Sequence, residues 1–175
     1  LKPVATAKTF YKHAVILKQV AHFYNTIGEQ ILESQFLMLE RHARNLETVI
    51  KRPIKALKGS AGAEAGGTVE WQDTEQLDAF ITELQSAASL LTRENRKLRR
   101  FHELFKEKVL ELMGLDLLKQ QAKWKEGFAY FRGICTQLAT QGFSKEAMKP
   151  WTTHWDYQLY KALEVQYRFG LERLH

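Results

Sequence analysis

The fold is decided by the stretch LDAFITELQSAASLLTRENRKLRRFHELFKEKVLEL, residues 77–112. Alternating steps of four and three residues along it reach an apolar side chain at nine of eleven positions. No Pro or Gly interrupts the stretch, so it predicts one continuous helix with a buried seam, roughly 54 Å long at 1.5 Å per residue. The large apolar side chains of this seam are predicted to be core residues: Leu77, Ile81, Leu84, Leu91, Leu98, Phe105, Val109 and Leu112.

The remaining sequence predicts an all-α protein, an elongated antiparallel bundle of about five helices. A first helix is expected over residues 9–27. The sequence allows it either to continue into the next helix through a bend or to pair with it antiparallel, and it favours a break near Glu33 and Ser34. Ser34 is the expected N-cap of a second helix, which Pro53 ends. The apolar face predicted for this second helix consists of Phe36, Leu39, Ala43, Leu46, Val49 and Ile50.

A Gly-rich segment divides the chain. The sequence KGSAGAEAGGT, residues 58–68, holds four of the ten glycines and no large apolar residue, which predicts a flexible linker. We therefore expect a helix pair over 1–57, a Gly/Ala-rich linker over 58–70, and a three-helix bundle over 71–175. The long helix 73–113 is the base of that bundle, with Asp73 and Gln76 as a capping box.

Two further helices complete the predicted bundle. One is expected from Asp116 to about Gln141 after a very short turn, and the other begins at Ser144 with an irregular start caused by Pro150. The first of these two helices has a predicted apolar face of Leu117, Gln121, Trp124, Phe128, Phe131, Cys135 and Leu138. The second has a predicted apolar face of Trp151, Trp155, Leu159, Leu163, Tyr167 and Leu174.

The charge of the chain is uneven. Residues 1–58 hold ten Lys and Arg against four Asp and Glu, which accounts for the whole net charge of +6. A basic end is compatible with nucleic acid, an acidic protein or a membrane surface. No apolar run approaches the length of a membrane span. The start lacks Met and an apolar signal-peptide core, which suggests a segment of a longer protein.

Residues that could carry chemistry are scattered. No two of the six histidines are spaced as helical metal ligands, and the single Cys135 cannot complete a zinc site or form an internal disulfide, so it is expected to be a buried thiol. We expect no catalytic residues, no cofactor and no metal in this segment. Asn95 and His102 are polar positions on the seam. Asn95 either fixes the register of packing or faces water, and His102 is expected to be a packed histidine.

A basic cluster lies within the long helix. The sequence RENRKLRR, residues 93–100, has a net charge of +4, and its candidate interaction residues are Arg96, Arg99 and Arg100. Nearby apolar and acidic residues favour a solvated or protein-contacting face over a nucleic-acid site. Tyr157 and Tyr160 lie off the apolar face of the last helix. Together with Trp151 and Trp155 they are expected to meet a neighbour outside this chain.

Several stretches resemble the stem of dynein heavy chains, in particular those that drive retrograde intraflagellar transport in cilia. The resemblance is carried by TRENRKLRRFHELFKEKVLELMGLDLLKQQAKWKEG at 92–127 and KPWTTHWDYQLYKALEVQYRFGLERLH at 149–175. Within the latter, Trp-X-X-His-Trp at 151–155 is the most specific part. The sequences TVEW at 68–71 and KQVAHFYNTIGEQ at 18–30 also resemble this family, whereas the insert at 58–68 departs from it.

The resemblance implies a stem-type helical bundle that belongs to a minus-end-directed microtubule motor. It implies protein partners: the intermediate, light intermediate and light chains, the second heavy chain and the intraflagellar-transport train. ATP and Mg would bind in the AAA+ ATPase ring of the parent chain, and microtubules would bind only through that motor domain. The segment itself is expected to be non-catalytic and to bind neither nucleic acid nor membrane, in the cytoplasm and the cilium. The alternative is a freestanding basic helical adaptor that binds RNA or acidic membrane.

Overall fold

A computed structural model of the chain describes residues 2–52, 54–55, 69–70 and 74–174. These ranges contain five α-helices, so the predicted all-α class is confirmed. The helices are α1 (Lys2–Gln30), α2 (Phe36–Ile50), α3 (Thr74–Met113), α4 (Gln121–Thr140) and α5 (Lys145–Glu172). The same ranges also hold a 3-10 helix, Glu33–Gln35, and two short parallel strands, β1 (Ile54–Lys55) and β2 (Val69–Glu70).

The chain divides into two compact units. The first unit contains residues 1–31 and 39–95, and the second contains residues 32–38 and 96–175. This grouping differs from the segments 1–57 and 71–175 that the sequence suggested, because α3 contributes its N-terminal part to one unit and its C-terminal part to the other. The predicted linker over 58–68, together with Pro53 and Asp73, lies outside the described residues.

The large apolar side chains of the α3 seam are buried. Each of the eight large apolar side chains assigned to it is less than one-tenth exposed. The first unit also buries apolar side chains of α1 and α2, namely Val20, Ile27, Leu39, Leu46 and Val49. Asn95 is also buried, which decides against the water-facing alternative, and its Oδ1 has no hydrogen-bond partner among the described residues.

Two polar side-chain contacts join elements of the first unit. The buried His13 of α1 lies 2.5 Å, Nε2 to Oδ1, from Asp78 of α3. Arg52, just beyond α2, makes two hydrogen bonds of 2.6 and 2.9 Å to the Glu83 carboxylate of α3. The Arg52 guanidinium lowers the pKa of Glu83, because its hydrogen bonds favour the ionised carboxylate. Both contacts connect α3 to residues distant in the sequence.

The break between α1 and α2 differs in detail from the prediction. Ser34 is not an N-cap; it lies inside the 3-10 helix Glu33–Gln35. The fully buried Gln35 explains this turn, because its amide Nε2 donates a 2.8 Å hydrogen bond to the Leu98 carbonyl of α3. Phe36, which was assigned to an apolar face, is 50% exposed because it follows this turn and points away from the buried side of α2.

The second unit is an up-down-up arrangement of three helices. Contacts of α3 with α4 pair Leu112 with Gly127 and Phe105 with Phe131, so these two helices are antiparallel. The α4 helix begins at Gln121, later than predicted, because residues 114–120 form a loop. The Asp116 carboxylate accepts hydrogen bonds from the backbone N–H groups of residues 118 and 119 there. The buried face of α4 consists of Trp124, Gly127, Phe131, Ile134 and Leu138. Of the other residues predicted for this face, Gln121 is exposed, and Phe128 and Cys135 are half-buried.

The α5 helix begins as predicted and continues through its proline. The Ser144 hydroxyl accepts a 3.1 Å hydrogen bond from the Ala147 backbone N–H, and the helix then runs without interruption past Pro150. The expected irregular start up to Trp151 is therefore wrong. The expected apolar face of α5 is also wrong at its C-terminal end, where Tyr167 is 66% exposed and Leu174 is 78% exposed. The buried side of α5 instead includes Ala162, which is fully buried.

A close approach of α3 and α4 depends on Gly127. A Cβ atom at this position would lie 2.8 Å from Cδ2 of Leu112, which is itself fully buried. Gly127→Ala is expected to destabilise the chain by about 1 kcal/mol, since an overpacking cost of about 2 kcal/mol exceeds the gain in helix propensity of about 1 kcal/mol. Thermal unfolding followed by far-UV circular dichroism measures the change.

The matched control for that substitution is Gly133→Ala in the same helix. Gly133 is exposed, and a Cβ atom there would meet nothing within 4 Å. Gly133→Ala is expected to stabilise the chain by about 1 kcal/mol, because only helix propensity changes. Equal gains at both positions would contradict the close helix approach at Gly127.

Candidate interaction site

The tryptophans proposed as interaction residues lie inside the second unit. Trp151 is 0% exposed and stacks on Phe105 with ring centroids 4.8 Å apart, and Trp155 is 5% exposed. Phe105 also meets Trp155 and Phe131 edge-on at 5.1 and 4.5 Å. These four rings form an aromatic core, so neither Trp151 nor Trp155 presents a side chain for a partner. Their burial corrects the expectation that they form a surface.

The tyrosines of α5 are at the surface. Tyr157 is 56% exposed and Tyr160 62% exposed, although both rings are large and mostly apolar. The ammonium of Lys161 lies 5.7 Å from the Tyr157 ring centroid, a cation–π contact. One exposed aromatic residue needs no explanation, but two in adjacent turns of one helix form an apolar surface that a partner could cover.

Tyr160 stands at the rim of a groove between α4 and α5. The groove encloses about 640 Å³. Its buried residues are Phe105, Phe131, Trp155 and Leu159, and Phe128 and Leu163 are half-buried along its sides. Cys135 also lines the groove. Burial raises the pKa of its thiol, and the charge of Asp156 acts in the same direction, so the thiol is protonated at neutral pH. This groove is concave, apolar and open to solvent.

The arginines of the basic cluster are exposed. Arg96, Arg99 and Arg100 make no ion pair with a carboxylate among the described residues. Lys97 differs, since its ammonium lies 5.9 Å from the Phe143 ring centroid and so contacts the end of the α4–α5 loop. The three arginines therefore form a solvated basic face of the second unit.

The histidines His102 and His154 lie next to Trp155. The rings of His102 and His154 stack with centroids 5.7 Å apart, and the His102 centroid is 4.9 Å from that of Trp155. Burial lowers the pKa of His102. The charges of His154, Lys106 and Arg99 lower it further, while Glu103 opposes them. The buried Nδ1 of His102 has no hydrogen-bond partner in the described ranges. His102 is thus a packed, neutral histidine at pH 7.

The lowered pKa of His102 predicts a pH dependence of stability. In the unfolded chain His102 binds a proton below about pH 6.5, whereas in the folded chain it binds one only at lower pH. The free energy of unfolding therefore decreases as the pH falls below about 6.5. His102→Gln is expected to flatten the decrease in unfolding free energy between about pH 7.5 and 5.5. Urea titrations across this pH range test it. An equal slope in wild type and His102→Gln would contradict the assignment.

Two kinds of site were not found among the residues described. No group of three or more His, Cys, Asp or Glu side chains is placed to hold a metal ion in residues 2–52, 54–55, 69–70 and 74–174. Within the same ranges, no helix combines the length and the apolar composition needed to cross a membrane.

Comparison with known proteins finds homologues of the chain. No protein-family model matches the chain. Cytoplasmic dynein 2 heavy chain 1 of Tripneustes gratilla is 50% identical over 172 residues, which are 98% of this chain and 4% of that protein. The chain is homologous to a segment of dynein 2 heavy chains. The human protein of the same name is 44% identical over 97% of this chain, and that of Chlamydomonas reinhardtii is 37% identical over 100%, again covering 4% of each relative.

The homology confirms the resemblance to dynein heavy chains and limits what it implies. The chain spans about one twenty-fifth of the length of these dynein 2 relatives. The match covers nearly all of the chain, which includes the motif Trp-X-X-His-Trp at 151–155 and the buried seam of α3.

Some residues of the groove could not be identified from the sequence. Arg132 of α4 and Asp156 of α5 both line it, yet neither belongs to a motif. The available sequence signal is weak. It is that α4 and α5 carry more large apolar residues than one buried face can hold, such as Phe128 and Leu163. That excess indicates a second apolar face but not which helices enclose it.

Proposed function

We propose that this chain is a non-catalytic stem segment of a dynein 2 heavy chain, a motor for retrograde intraflagellar transport. It acts as a helical scaffold between the motor domain and the subunits and cargo trains. The observation that carries the proposal is the 37–50% identity to dynein 2 heavy chains over nearly the whole chain. The all-helical fold and the absence from its sequence of a phosphate-binding loop agree with this role.

The aromatic core of the second unit supports a scaffold role. The ring of Phe105 in α3 contacts those of Phe131 in α4 and of Trp151 and Trp155 in α5, and Phe131 also contacts Trp155. Large side chains buried from several elements resist local opening, because each helix loses apolar contacts when it separates from the others. A segment that transmits force between a motor and its load needs this resistance.

The partners in this proposal are proteins. By family they are the intermediate, light intermediate and light chains, the second heavy chain and the transport train. The exposed tyrosines of α5 and the basic face of Arg96, Arg99 and Arg100 offer surfaces to them. ATP, Mg and microtubules would be bound by the motor domain of the heavy chain and not by these residues. The location that follows is the cytoplasm and the cilium.

The test exchanges the matched segment of the human dynein 2 heavy chain for this chain. The exchanged heavy chain is expected to recover the other subunits and to restore retrograde transport in cells that lack their own heavy chain. Adding Leu91→Asp, which places a charge in the buried seam, is expected to reduce subunit recovery while the microtubule-stimulated ATPase rate is unchanged. Ser89→Asp, at an exposed position of the same helix, is the control.

Two outcomes would contradict the proposal. One is an exchanged heavy chain that folds but recovers no subunits. The other is a loss of ATPase activity with Leu91→Asp, because this would place the segment within the catalytic machinery. The adaptor alternative has its own signature: the isolated chain would bind RNA or anionic vesicles with an affinity that falls steeply with salt concentration.

A further inference from the structure

The groove between α4 and α5 has the dimensions of a helix-binding site. Along α5 its lining runs from Thr152 to Leu163, roughly 17 Å at 1.5 Å per residue, which is about three helical turns. Its floor is made of buried aromatic and aliphatic side chains. Tyr160 rises beside it with 62% of its surface exposed. Such an apolar channel between two helices is the usual receptor for the apolar face of a third.

The rims of the groove carry opposite charges. Arg132 of α4 and Asp156 of α5 both line the groove and are exposed. Neither forms an ion pair with any carboxylate or cationic side chain in the part of the chain that the structure describes, and they do not pair with each other. A ligand that fills the groove therefore meets a free cation on one side and a free anion on the other.

We propose that this groove binds one amphipathic α-helix of a partner protein, about three turns long. Its apolar residues at i, i+4 and i+7 enter the groove, an acidic residue faces Arg132 and a basic residue faces Asp156. The two opposite charges favour a protein helix over an anionic lipid, because the Asp156 carboxylate would repel a lipid of the same charge. This inference deepens the proposed function and rests on it for the source of the helix, a subunit of the same motor.

The single cysteine of the chain makes occupancy of the groove measurable. Cys135 lines the groove and is half-buried, so a bound helix would cover its thiol. The probe is a synthetic, helix-stabilised peptide with Leu at i, i+4 and i+7, one Glu and one Lys flanking them on opposite sides. Saturating peptide is expected to slow maleimide labelling of Cys135 in the intact chain about tenfold, in the way that a buried interface excludes solvent.

Matched variants locate the binding. Tyr160→Ala is expected to weaken peptide binding about tenfold, since aromatic residues at the edge of an apolar site carry much of its affinity. Tyr167→Ala is the control, because that residue of α5 is similarly exposed but does not line the groove. Arg132→Glu is expected to weaken binding about fivefold, and a peptide with Lys in place of its Glu should restore it.

Three results would overturn the inference. The first is labelling of Cys135 that the peptide does not slow. The second is an equal effect of Tyr160→Ala and Tyr167→Ala. The third is a dimeric chain that Tyr160→Ala converts to a monomer, because the occupant would then be a second copy. If the exchanged heavy chain recovers no subunits but the peptide still slows labelling of Cys135, the scaffold role alone is rejected. If subunit recovery is normal but the peptide does not slow labelling of Cys135, the helix-binding groove alone is rejected.

Discussion

Leu91→Asp is expected to unfold the first unit, formed by residues 1–31 and 39–95. Leu91 is fully buried at the centre of the α3 seam, where an ionised carboxylate has neither water nor a cationic partner. Burying an unpaired charge is among the largest effects of a single substitution, so we expect a loss of about 4 kcal/mol or more in unfolding free energy. Urea denaturation followed by far-UV circular dichroism measures it.

Ser89→Asp is the matched control, two residues away on the same helix. Ser89 is exposed, so its substitution is expected to change the unfolding free energy by no more than about 0.5 kcal/mol. A Leu91→Asp chain with the wild-type urea midpoint would mean that this part of the seam is not buried in solution.

Phe105→Ala is expected to have the largest effect of any truncation in the second unit. The ring is fully buried and contacts Phe131, Trp151 and Trp155 at centroid distances of 4.5, 4.8 and 5.1 Å. Truncating a buried phenylalanine to alanine costs about 3 to 5 kcal/mol, through lost burial and the cavity that remains. The loss of the ring–ring contacts places this position near the upper end of that range.

Differential scanning calorimetry of two variants separates the contribution of the aromatic ring contacts of Phe105 from the contribution of its apolar volume. Phe105→Leu keeps most of the apolar volume and is expected to cost about 1.5 kcal/mol, less than half the effect of Phe105→Ala. Tyr130→Ala, a ring 6.4 Å from Phe105 that is partly exposed, is expected to cost less than Phe105→Ala. Similar melting temperatures for Phe105→Ala and wild type would contradict a packed aromatic core.

Much of the fold could be predicted because it follows from local periodicity. The seam from Leu77 to Leu112 has apolar side chains at nine of its eleven positions over five heptads, and such a pattern can bury them only as one face of a helix. The N-cap at Ser144 is likewise a local property, and so is the φ of 93° at Gly142, the residue after the C-cap Gln141 of α4.

Other features depend on contacts distant in the sequence, which a local pattern does not contain. Gly127 is buried because the Leu112 side chain packs on its bare backbone, and a glycine has no apolar side chain to reveal this. Gln35 is buried because it reaches a carbonyl 63 residues away, so its 3-10 turn replaced the expected N-cap at Ser34. The pattern around Trp151 and Trp155 predicted a helix face, but not whether this chain or a partner covers it.

The distribution of tryptophan gives the chain a built-in optical reporter. Trp124, Trp151 and Trp155 are all buried in the second unit, and the fourth, Trp71, can be removed as Trp71→Phe. The emission of that variant then follows the second unit alone, whereas backbone ellipticity follows both. Emission and ellipticity that change at the same urea concentration would indicate one cooperative transition, and separated midpoints would assign the earlier or later step to a named unit.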